Sequence, residues 1–149
     1  MLRLPVLYLS TYLMLNRAEY YTRLMTVRTQ GDWEGWIAFF LKGVAETAEQ
    51  ATATARAILD LRETHRALLL ANRLERHGLP LLDRLFGSPL VNVRWVEREL
   101  QVTYATANRL LSLLIALGIL EETTGRPRDR KFRYAPYLAH FTQPDVSVD

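Results

Sequence analysis

Gly118 separates two hydrophobic periods, and that junction narrows the folds open to this chain more than any other feature. Before it, Ala107, Leu110, Leu111, Leu114 and Leu117 recur at helical spacing. Thr103 is placed to cap that helix over Tyr104 to Leu117, and Gly118 to end it in the left-handed conformation. After it, Ile119 to Thr123 has strand-like character, Thr124-Gly125-Arg126-Pro127 is turn material, and Lys131-Phe132-Arg133-Tyr134 alternates as a returning strand. Upstream, Val91-Asn92-Val93 reads as a short extended piece. Arg94 to Leu100 reads as a short helix with Val96 and Leu100 inward, and Gln101-Val102-Thr103 as a tight turn. Pro136 opens a last short helix to about Phe141, and the tail from Gln143 is expected to fray.

Helix, short helix, turn, longer helix and then a two-stranded hairpin with a basic tip is the order of a winged helix-turn-helix. In DNA-binding members the second helix of the motif enters the major groove with its N-terminal side chains toward base edges. The residues so placed are Thr103, Tyr104, Thr106, Asn108, Arg109 and Ser112. Arg109 can fork to guanine and Asn108 to adenine. The run from Arg126 to Arg133 holds five bases against one acid, and Arg126, Arg128 and Arg130 are positioned to meet phosphates or a minor groove. Arg94 and Arg98 on the preceding helix could add phosphate contacts, although Glu97 and Glu99 sit beside them. The same fold also serves as a protein-interaction or dimerisation module without nucleic acid, and the helix carries only one base of its own, so that alternative stays open.

The remainder of the chain reads as helical. Pro5 ends an irregular start, and Ser10 is placed to cap a short helix through Leu15. Asn16 with Glu19 has the form of a capping box for a helix carrying Tyr20, Leu24 and Val27 on one face. Gly31 stops it, and Asp32 restarts a helix in which Trp33, Trp36, Ile37, Phe40 and Val44 recur at helical period, so these are expected in a core. The pattern continues through an Ala/Thr-rich stretch without glycine or proline, giving a long connecting helix over roughly 32–66. Leu68 to Arg76 forms a further helical set ended by His77-Gly78, and Leu79 to Phe86 a short helix broken by Gly87-Ser88-Pro89. The expected fold is mainly α. A helical part, 1–66, is joined by the long helix to a winged helix-turn-helix domain, 67–149, with a small β-hairpin wing.

The sequence also carries a resemblance to a known family. Pro5-Val6-Leu7-Tyr8-Leu9-Ser10, Asn16-Arg17 with Glu19-Tyr20-Tyr21, Gly31-Asp32-Trp33-Glu34 with Trp36, and Phe39-Phe40-Leu41 with Gly43-Val44 resemble the end of a Fic-family domain. Val102-Thr103-Tyr104, Thr106-Ala107-Asn108-Arg109-Leu110, Leu117-Gly118-Ile119-Leu120-Glu121 and Thr124-Gly125-Arg126 are similar to the winged-helix module that follows that domain in many bacterial Fic proteins. The resemblance implies a parent that transfers AMP from ATP, with magnesium, to a target hydroxyl through a loop of the form His-Pro-Phe-x-Asp-Gly-Asn-Gly-Arg. None of His65, His77 and His140 is followed by Pro-Phe, and no Gly-x-Gly occurs. The chain is therefore expected to be a non-catalytic C-terminal portion with no cofactor of its own. The resemblance also places Asn16, Tyr20 and Tyr21 near an adenine pocket, as a remnant nucleotide site; by the residues alone, Asn16 is a helix cap and the tyrosines pack. The expected partners are DNA, the preceding Fic domain and a second copy of the chain.

Composition excludes other chemistry. The 149 residues contain no cysteine, which removes disulfides, thiolate metal sites and cysteine nucleophiles and points to a reducing cytoplasm. No apolar run reaches the length of a membrane span, and Met1-Leu2-Arg3-Leu4-Pro5 lacks signal-peptide architecture, so membrane contact is not expected. The histidines are scattered without metal-ligand spacing. The net charge of +3 decides nothing by itself, because the bases that matter cluster between Arg126 and Arg133.

Overall fold

The computed structural model describes residues 4–125 and 129–141, with side chains from Leu9 onward. The chain is mainly helical with one small antiparallel sheet. It forms two compact units that divide between Arg56 and Ala57.

In the first unit, α1 (Leu4–Leu15) and α2 (Arg17–Gln30) precede α3 (Trp33–Ala71), which continues into the second unit. Pro5 lies in the first turn of α1, where a missing N–H costs nothing, so Ser10 sits inside the helix rather than at its cap. The capping box does not form. Asn16 has no side-chain cap bond; its Nδ2 donates back to the Tyr12 carbonyl at 2.9 Å. Gly31 ends α2 at φ 71°, and Asp32 Oδ1 accepts the Gly35 N–H at 2.9 Å to open α3. The inward side of α3 is Trp36, Phe39, Gly43 and buried Thr47, with Trp36 on Tyr20 and Phe39 and Gly43 on Tyr12. Gly43 is what lets Tyr12 approach, since a Cβ there would meet the ring at 2.5 Å. Trp33, Ile37, Phe40 and Val44 are exposed, contrary to their expected place in a core. The apolar stretch is wide enough to offer two faces, and the aromatic rings of α1 and α2 take only one.

In the second unit, α3 ends on Arg73, which has φ 56°. The Leu74 N–H donates to the Leu69 carbonyl at 2.9 Å and the Arg73 N–H to Leu70 at 3.1 Å, the paired closure of a left-handed helix end. Leu61, His65 and Leu69 pack into this unit's core, so the polar stretch near residues 60–66 lies within it. The next helix, α4 (Glu75–Leu85), carries His77-Gly78 inside it instead of ending there. Gly78 is retained for close packing, because a Cβ would stand 3.0 Å from Leu69 Cδ2. Then follow β1 (Leu90–Asn92), α5 (Val93–Leu100), α6 (Tyr104–Ala116), β2 (Glu121–Glu122), β3 (Lys131–Arg133) and α7 (Ala135–Leu138).

The strand order is β1-β3-β2, all antiparallel, with Val91 opposite Phe132 and Glu121 opposite Arg133. The expected hairpin thus gains a third strand from the extended piece before α5. Phe132, Val91 and Tyr134 face a core built with Leu81, Leu85, Val96, Ala107, Leu110, Leu111, Leu114, Ile119 and Leu120. Asn92 Oδ1 caps α5 on the Trp95 N–H at 2.8 Å, and Thr103 Oγ1 caps α6 on the Thr106 N–H at 3.3 Å. Gly118, at φ 70°, makes the same left-handed closure as Arg73, with Ile119 N–H donating to Leu114 at 2.9 Å. Tyr134 is fully buried, and its hydroxyl lies 2.8 Å from His65 Nδ1, so the pair satisfies itself away from water.

Candidate nucleic-acid interface

The buried side of α6 is Ala107, Leu110, Leu111 and Leu114. Helical geometry then turns Arg109 and Ser112 to solvent, with Tyr104 and Asn108 along one border and Thr106 along the other. All of these except half-buried Asn108 are exposed. Arg109 makes no hydrogen bond or ion pair with any described residue, so none of these occupies its donor fork. Ser112 instead donates to the Asn108 carbonyl at 3.1 Å, and the Thr103 and Thr106 hydroxyls bond each other at 3.0 Å.

Beside the Tyr104 border lies a groove of about 490 Å³ lined by Asn92, Val93, Arg94, Tyr104, Asp129, Arg130 and Lys131. The N-terminus of α5, the N-terminus of α6 and the start of β3 meet there. Arg94 lies over the Tyr104 ring, 5.1 Å from its centre, and pairs with Glu97 at 3.1 Å. Lys131 is exposed and forms no ion pair among the described residues. The groove is lined by three bases and Asp129, but Arg94 and Arg130 are paired with Glu97 and Glu122, so Lys131 is its one base without an ion pair among the described residues.

Arg130 has a different setting from the one its sequence position suggests. Its Nε and Nη2 both donate to Glu122 Oε2, at 3.0 and 2.7 Å, and its Nη1 donates to Asn108 Oδ1 at 3.4 Å. The guanidinium also covers Phe132, 5.0 Å from the ring centre. That hydrogen bond and charge hold the Glu122 carboxyl below its ordinary pKa, and the same bond raises that of Arg130. Two candidate contact residues, Asn108 and Arg130, are thus joined to each other, tying the sheet to α6. Arg126 and Arg128 lie outside the described residues.

Of the candidate nucleotide remnant, Tyr20 packs between Tyr21 and Trp36 at 5.3 and 5.5 Å, and Arg17 lies over Tyr21. These contacts, and the bond from Asn16 to Tyr12, are those of a helix pair stacking its rings. Among the described residues, no group of histidine and carboxylate side chains could hold a metal ion. No described helix is long and apolar enough to cross a membrane. No protein-family model matches the chain.

Sequence reading missed two cations beside α6. Arg73 and Arg76 border a cleft of about 200 Å³ together with Arg109. Its signal in the sequence was Leu69 and Leu74 five apart around Asn72-Arg73, a helix end written without glycine.

Proposed function

We propose that the second unit is a winged helix-turn-helix module that binds duplex DNA, with α6 as the helix that enters the major groove. The observation that carries this reading is the groove where Arg94, Arg130 and Lys131 gather beside the capped N-terminus of α6, whose outer side is exposed. A helix in the major groove is flanked by phosphates, which cations beside its N-terminus neutralise. Thr103 and Tyr104 stand at that end, and Arg109 one turn further presents a fork that no described residue engages, of the kind that reads guanine. No AMP transfer is proposed for this chain, because its sequence contains no His-Pro-Phe loop. The likeness of its first unit to the end of a Fic domain rests on the sequence motifs alone.

Titration of the full chain into labelled duplex at about 50 to 200 mM salt tests the reading, with a log-log slope of about −0.9 expected per phosphate contact. Arg94→Ala with Lys131→Ala should flatten that slope by about 1.8. Absence of binding at the lowest salt would remove the proposal.

A second reading concerns the first unit and has its own observation. Trp33, Ile37 and Leu41 are 62, 51 and 58% exposed and lie four residues apart on α3, with Phe40 and Val44 beside them. A contiguous apolar stripe of this kind marks a protein contact. We propose that a second copy of the chain covers it. Sedimentation velocity should give a dimer, and Trp33→Glu with Ile37→Glu should give a monomer. A wild-type chain that stays monomeric at high concentration would sink this reading.

A further inference from the structure

The cleft on the far border of α6 is lined by Arg73, Leu74, Arg76, His77, Thr106, Arg109, Leu110 and Leu113. Its rim carries three guanidiniums, from the end of α3, the first turn of α4 and α6. None of the three forms an ion pair with a described residue, and no acid lines the cleft. Elsewhere in this unit Arg62, Arg84 and Arg133 pair with Asp83, Glu99 and Glu121, whereas Arg66 and Arg98 stand singly; among the described residues, only at this cleft do three unpaired arginines gather. Three like charges around one small cleft repel each other, and the arrangement gains stability when an anion enters. Guanidinium forks suit phosphate oxygens bidentately.

Arg73 sits in the turn between α3 and α4. It occupies a left-handed position, φ 56°, where glycine is the residue of lowest strain. The comparable closure after α6 uses Gly118. At Arg73 the backbone holds a long cationic side chain in a conformation that disfavours it, and directs it to the cleft rim. Gln101 closes α5 in the same way at φ 53°, so the backbone conformation alone marks no site; what sets Arg73 apart is its place on the cleft.

We infer that this cleft grips DNA phosphates on the side of α6 opposite the Arg94–Lys131 groove. The inference rests on the DNA reading of α6 and extends it. A major groove is bounded by two phosphate strands, and a helix lying in it has one strand along each border. The Tyr104 border of α6 has its cations in Arg94 and Lys131. The Thr106 border has them in Arg73 and Arg76, with Arg109 between the groove floor and this flank. The module thus clamps both strands.

Arg73→Gly with Arg76→Ala tests this without threatening the fold, because glycine is favoured at residue 73 and both side chains are exposed. The melting temperature of the double variant should equal or exceed wild type. Its affinity for duplex should fall about tenfold, and its salt slope by about 1.8, uniformly over sequences. Arg28→Ala, in the first unit, serves as the control and should change neither. If wild type binds duplex and the double variant binds equally well with the same slope, the second clamp is wrong and the DNA reading survives. If wild type binds no duplex, both fall. If inorganic phosphate stabilises wild type but not the double variant while the salt slope is unchanged, the cleft takes a free anion and the inference is overturned.

Discussion

Tyr134→Ala is expected to destabilise the second unit by about 4 kcal/mol, the range for removing a large buried aromatic. Tyr134 follows the central strand and is fully buried. Its ring packs on Phe86 at 5.5 Å and Tyr137 at 5.6 Å, and its hydroxyl meets His65 at 2.8 Å. Alanine would leave a ring-sized void and a buried imidazole without its partner. Tyr134→Phe isolates the second effect and should cost about 1–2 kcal/mol, since a buried polar atom left unpaired bears its own desolvation. The same pair gives a pH dependence. Burial lowers the His65 pKa from its ordinary 6.5. Well above that value both folded and unfolded chains hold a neutral imidazole. As pH falls through it, the unfolded chain binds a proton that the folded one resists, so stability declines until the folded value is passed. Thermal melts followed by circular dichroism should therefore show a melting temperature that drops between about pH 7.5 and about pH 5. His65→Gln should remove His65's share of that drop. A wild-type melting temperature flat across this range would contradict the linkage.

Much of this unit was legible in the sequence because its signals are local. Thr103, Gly118 and the change of period around Gly118 each act within a few residues, and the structure places α6, β2 and β3 where they point. The stretch from Leu68 to Gly78 departs from its sequence pattern for the opposite reason. Gly78 is ordinarily a helix terminator, yet here it lies inside α4 because Leu69 and Leu74 crowd it from α3 and the turn. Arg73 ends α3 although its side chain gives no hint of a left-handed position. The third strand reads only as an extended piece, because its pairing with β3 spans some forty residues and leaves no local mark. In the first unit, periodicity identified α3 but not its inward side, which is set by Tyr12 and Tyr20 on other helices. At the candidate site, residue type predicted what Arg109, Asn108 and Arg130 could contact. Only the folded chain puts Glu122 against Arg130 and leaves Arg109 without a partner among the described residues.

That contrast sets the largest expected effect on the proposed DNA binding. Arg109→Ala should weaken binding to a preferred duplex by about 1–3 kcal/mol, the usual worth of a bidentate base contact, and relax discrimination at one base pair. Its effect on folding should stay within about 0.5 kcal/mol, because the side chain is exposed and bonded to nothing described. Asn108→Ala is a different experiment. Asn108 accepts from Arg130, so its loss loosens the link between β3 and α6, and any change in affinity mixes contact with positioning. Competition of random-sequence against selected duplex separates the roles of Arg109. Loss of sequence preference with little change in salt slope identifies a base contact. Equal weakening on all sequences, with the slope reduced by about 0.9, moves Arg109 to the phosphate flank beside Arg73 and Arg76. An unchanged affinity would mean that α6 does not enter the groove, since this is the one cation its solvent face presents.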